Sequence, residues 1–86
     1  MTAEQLRQRL QDALSPEELD VQDDSHQHAG HAGARDGRHF SVRLRASRFA
    51  GLNRLARHRL VYDALGPLAA QGVHALAIVA QAPGEG

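Results

Sequence analysis

No cysteine occurs among the 86 residues. That absence excludes a disulfide framework, a nucleophilic thiol, and any zinc or iron–sulfur site built on this chain's own thiolates. Lysine is missing too, so every basic side chain is an arginine. There is no tryptophan, and Phe40, Phe49 and Tyr62 are the only aromatics. Three rings are too few for a platform that stacks single-stranded RNA bases. No apolar run approaches the roughly 18 residues of a membrane helix. The N-terminal stretch carries Glu4 and Asp12 where a leader would be basic and apolar. A cytoplasmic protein with no membrane partner is the expectation. Length allows one compact core, since a chain this short buries only about 60% of its unfolded surface. The expected organisation is a single domain over residues 1–80 and a flexible tail over 81–86.

What is present is unevenly placed. Net charge is zero, yet Arg35 to Arg59 holds eight arginines against Asp36, while the remainder holds Arg7 and Arg9 against nine acids. The division is +7 against −7, enough to offer a basic face to an acidic partner. Histidine is concentrated as well: His26, His28 and His31 lie within six positions.

The apolar pattern divides the chain into five elements. Thr2 and Gln5 fit a capping box, and Leu6, Leu10 and Leu14 follow at helical spacing. Ser15-Pro16 ends that helix, and Pro16-Glu17-Glu18 offers one further helical turn. Leu19 to Asp23 alternates like a half-buried strand. Ser25 to Arg38 loses the pattern and gains Gly30, Gly33 and Gly37, a loop longer than the usual connection. Phe40, Val42, Leu44 and Ala46 alternate with Ser41, Arg43 and Arg45, giving a strand with one apolar and one basic face. Asn53 caps a second helix carrying Leu55, His58, Val61, Leu65 and Leu68 along one side. Val73 to Val79 reads as a strand covered on both faces, and Ala80 to Gly86 as a tail with nothing to bury. The fold class is α+β, in the order α-β-β-α-β, with helices on one face of a three-stranded mixed sheet.

Several segments together resemble the BolA family. They are the loop Asp23-Asp24-Ser25-His26-Gln27-His28-Ala29-Gly30-His31-Ala32-Gly33, the strand opening His39-Phe40, and the run Ser47-Arg48-Phe49-Ala50-Gly51. The helix Arg57-His58-Arg59-Leu60-Val61-Tyr62 and Val73-His74-Ala75-Leu76 complete the set. The resemblance spans nearly the whole chain and implies a type II KH-like fold, in agreement with the element order. It also implies a heterodimer with a monothiol glutaredoxin around a shared [2Fe–2S] cluster, and transcriptional regulation through DNA.

An iron–sulfur cluster takes thiolate ligands, with imidazole able to replace them on one iron. The resemblance assigns the sulfurs to the glutaredoxin and glutathione, and the nitrogens to His74 and His28, with His31 and His26 as alternates. The isolated chain is then expected to be a monomer without a cofactor. By period alone, His74 is equally a residue of an apolar strand, the loop histidines an exposed cluster, and His58 a structural helix residue. His39 begins a strand with no evident partner.

The alternative expectation is a DNA-binding regulator using Arg43, Arg45, Arg48, Arg54, Arg57 and Arg59 against phosphates of a duplex. The same arginines also suit a solvated face or an acidic protein. Gly30-His31-Ala32-Gly33 matches a GxxG string but lies between strands and carries no basic residue. Adjacent Asp23, Asp24, Ser25 and His26 are not preorganised for proton relay, so no enzyme activity is expected.

Overall fold

The computed structural model describes residues 1–24 and 38–85. The first helix, α1 (Ala3–Leu14), starts where the sequence places its cap. The Gln5 amide donates to the Thr2 hydroxyl at 3.1 Å and the Thr2 amide to the Gln5 side chain at 2.9 Å. Leu6, Leu10 and Leu14 form its buried stripe. Ser15 ends it in the left-handed region at φ 46°. The further helical turn at Pro16-Glu17-Glu18 does not form. The Glu17 amide donates instead to the Arg45 carbonyl at 2.8 Å, and this pairing leads directly into β1 (Glu18–Asp23).

β1 runs antiparallel to β2 (Arg38–Arg45), and β2 runs parallel to β3 (Val73–Gln81), so β2 is central. Parallel neighbours need a crossover, supplied here by α2 (Arg54–Leu65), with Asn53 accepting from the Ala56 amide at its start. Two short 3₁₀ turns, Ser47–Phe49 and Ala69–Gln71, flank this crossover. α1 packs against β1 and α2, and α2 against β3. The result is the expected α-β-β-α-β order with a mixed sheet and both helices on one face.

The core lies between those helices and the sheet. Phe40, Val42 and Leu44 project into it from β2, and Leu6, Leu10, Phe49, Val61 and Leu65 meet them from the other elements. Three expectations require correction. β3 is not covered on both faces: Leu76, Ile78 and Ala80 turn toward the helices, whereas Ala75, Ala77 and Val79 are exposed on the open side. Leu55 does not share the buried side of α2, where Val61 and Leu65 lie; it is 59% exposed. The residues after Val79 also differ from a tail with nothing to bury. β3 continues to Gln81, Ala82 is buried, and Glu85 closes a turn by accepting from the Ala82 amide at 2.9 Å. Among the described residues, no helix is long and apolar enough to cross a membrane.

Candidate functional site

The sheet register creates a histidine pair that the sequence does not announce. Arg38 pairs with Val73, but His39 pairs with Ala75, so His74 is the extra residue of a bulge at the start of β3. The His39 and His74 rings lie 5.1 Å apart, centroid to centroid, and tilted by 40°. His74 is exposed and His39 half-buried. Nearby, the Asp24 amide donates to the His39 carbonyl at 2.7 Å, and the Ser41 hydroxyl donates to the Asp24 carboxylate. Arg38 pairs with Asp23 at 2.9 Å. These contacts fix one end of the 24–38 connection beside the two imidazoles. Period-2 reading placed His74 among apolar residues because it could not anticipate the bulge. His28, His26 and His31 lie outside the described residues.

The six arginines expected to form one face are divided by the sheet. Arg43 and Arg45 project from β2 on the side opposite the helices, while Arg54, Arg57 and Arg59 belong to α2 and Arg48 to the preceding turn. Asp20 and Glu18 stand in register with Arg43 and Arg45. Arg45 faces Glu18 at 3.5 Å and donates to the Gln81 side chain at 3.1 Å. Arg48 donates to the Ala13 carbonyl at 3.2 Å, satisfying an open acceptor in the last turn of α1. Arg57 is the most committed: it donates to the carbonyls of Leu52 at 2.9 Å and Ala80 at 3.1 Å. It also forms a bidentate pair with Glu85 at 2.5 and 2.7 Å. Hydrogen bonding from Arg57, followed by that from the Ala82 amide, lowers the Glu85 carboxyl from 4.5 to about 2. Among the described residues, the side chains of Arg43, Arg54 and Arg59 make no hydrogen bond or ion pair.

These placements correct two expectations. Duplex DNA binding by a continuous arginine face does not survive, because the guanidiniums lie on opposite sides, alternate with acids or are already used. Phe40 and Phe49 are buried as well, leaving no aromatic cluster beside them. The metal and iron–sulfur expectation fails on the donor set. The chain has no cysteine, and among the described residues no group of three or more His, Asp or Glu could hold a metal ion. Two neighbouring imidazoles do not make a [2Fe–2S] site, and the donor set of the described residues does not fit the cluster.

Comparison with known proteins bears on the same elements. Residues 10–85 match the family model of BolA-like proteins. The chain is 45% identical over 87 residues to Protein BOLA1, chloroplastic, of Arabidopsis thaliana, covering 96% of this chain and 54% of that protein. It is 45% identical over 86 residues to SufE-like protein 1, chloroplastic/mitochondrial, of the same plant, covering 93% of this chain and 23% of that protein. The chain thus spans about half of one relative and under a quarter of the other. The solved structure of BolA1 from Arabidopsis thaliana superposes with a TM-score of 0.84 at 42% identity, covering 100% of this chain and 96% of that one. The names of the two plant relatives place them in organelles, which overturns the expectation of a cytoplasmic address.

Proposed function

The chain belongs to the BolA family, and from that premise we propose that it is an adaptor that docks a monothiol glutaredoxin. The contact surface is the end of the sheet carrying His39 and His74. BolA-family proteins are non-catalytic adaptors and regulators, and this unit is not an enzyme. The observation that carries the docking surface is the imidazole pair at the bulge, one ring exposed and the other held beside the anchored Asp24. Imidazoles present an apolar body and a polar tip, so the pair offers a partner both contact area and ring nitrogens for hydrogen bonds. The match to a SufE-like protein supports an adaptor role: the matched region is 23% of that longer chain, so in that relative a similar unit is joined to further sequence.

The test is a titration of the isotope-labelled chain with a cluster-free monothiol glutaredoxin, followed by amide shifts. Shifts should concentrate at residues 38–41 and 73–76, and His74→Ala should weaken the complex by about tenfold, as for a central interface residue. No complex at concentrations of about 100 μM, where even weak encounters register, sinks the proposal. Shifts confined to α1 would also sink it.

A further inference from the structure

A second surface lies at the other end of β3. There a groove of about 440 Å³ runs between α2 and β3, lined by Leu52, Arg54, Arg57 and His58 on one wall and Ile78 to Gln81 on the other. Its placement at residue 79 puts it roughly 16 Å along the strand from His74, at about 3.3 Å per residue. It is therefore separate from the histidine pair.

Three observations define what the groove would take. First, β3 is an edge strand, pairing only with β2 among the described residues. Its Ala80 carbonyl points into the groove, where Arg57 donates to it at 3.1 Å. Backbone groups repeat their direction every second residue along a strand, so Ile78 presents its amide and carbonyl along the same edge. Second, apolar surface flanks this edge on both faces of the strand: Leu52 and Ile78 on the helix side, and Val79, 47% exposed, on the open side. Third, the lining has cationic and titratable groups but no acid. Arg54 is exposed and unpaired among the described residues. Arg57 is 14% exposed in its side chain, braced by two carbonyls, and already holds a carboxylate, that of Glu85. Glu85 thus shows a carboxylate seated on this wall in bidentate geometry, supplied by the chain itself.

We infer that this groove receives an extended acidic segment of a partner protein. The segment adds to the free edge of β3, lays β-branched side chains on Ile78 and Val79, and sets a carboxylate on Arg54. A strand edge gives affinity through main-chain hydrogen bonds, while flanking pockets give specificity. The Arg57–Glu85 pair borders the site, so Glu85 competes with a second carboxylate of the incoming segment. Nucleic acid is the poorer occupant: the groove offers one unpaired guanidinium and no aromatic ring, whereas a strand edge has no counterpart in a phosphate backbone.

The experiment selects random octapeptides displayed on phage against the immobilised full chain, then titrates synthetic versions of the enriched peptides into the isotope-labelled chain. Enriched sequences should carry Asp or Glu among β-branched residues, and their shifts should fall on residues 52–58 and 78–81. Arg54→Glu should weaken binding by about tenfold or more, as expected for reversing a charge against a carboxylate. An acid is favoured in the first turn of a helix, so this variant keeps α2 intact. Glu85→Gln should tighten binding by about threefold, as weakening the competing charge-assisted pair predicts. The inference is overturned by peptides without acids, by shifts outside the groove, or by absence of enrichment. Affinity indifferent to Arg54→Glu also overturns it, as does a 12-base-pair duplex that shifts the same amides more tightly than any peptide.

Discussion

Single arginines in this protein do unlike jobs although the sequence presents them as one set. Arg48 and Arg9 reach the ends of α1 and α2, donating to the carbonyls of Ala13 at 3.2 Å and Leu65 at 2.8 Å. Cationic donors are favourable there because the last carbonyls of a helix have no partner within it. Arg57 closes the C-terminal turn through Glu85. A carboxyl whose folded value is depressed adds stability above its unfolded value and loses it as pH falls through the folded one. Glu85 falls from 4.5 to about 2, so its contribution is full above about pH 5.5, one unit beyond the unfolded value, and fades from there toward 2. Urea midpoints measured across that range should separate wild type from Glu85→Gln at the upper end and converge at the lower. Parallel curves at every pH would remove Glu85 from the account. None of these partners could be read from composition: a string of arginines is the same string whether each meets a carbonyl, a carboxylate or water. His39 was equally opaque, since its neighbour depends on a bulge 35 residues farther along.

At the scale of elements the sequence was more transparent, because caps and stripes are local. Thr2 with Gln5, the Leu6–Leu10–Leu14 stripe and the Asn53 cap all depend on residues within a turn or two, and each is found where its spacing places it. The apolar alternation of β2 was legible for the same reason. Reading failed where a second element decides the outcome. Leu55 has the spacing of a buried residue, yet α2 meets β3 and α1 through Val61 and Leu65, and the first turn of the helix stands clear. β3 is apolar on both faces, but only one face has helices to cover it. The contrast between two leucines tests this directly. Leu10→Ala, fully buried at 0% exposure, should lower unfolding free energy by about 2–5 kcal/mol. Leu55→Ala should change it by no more than about 0.5 kcal/mol. Chemical denaturation of both variants measures the difference, and equal losses would contradict the placement of Leu55.

Across the whole molecule, the +7 and −7 segments fold against each other. Asp23 meets Arg38, Glu18 meets Arg45, Asp20 stands opposite Arg43, and Glu85 holds Arg57. Charge that is segregated along the chain is interleaved in space at these pairs, so the described part of the basic segment forms no continuous basic face. The same arrangement governs how the strands find one another. β1 and β2 are joined by residues 24–37, far too long a connection for a tight turn to dictate their alignment. Sliding β1 by one residue along β2 would turn Val21 out to water and carry Asp20 toward the core, and it would separate Glu18 from Arg45. Alignment is therefore proofread by the strands themselves, and the connection is free of that task. Removing two residues between positions 26 and 36 should leave the Val21–Val42 cross-strand contact intact in nuclear Overhauser spectra. The accompanying change in loop-closure free energy should stay below about 0.6 kcal/mol, the cost of a full doubling in length. A lost or displaced contact would show that the connection does set the alignment. An alignment held by the strands themselves leaves the end of the sheet, and the pair of histidines on it, independent of how many residues join Asp24 to Arg38.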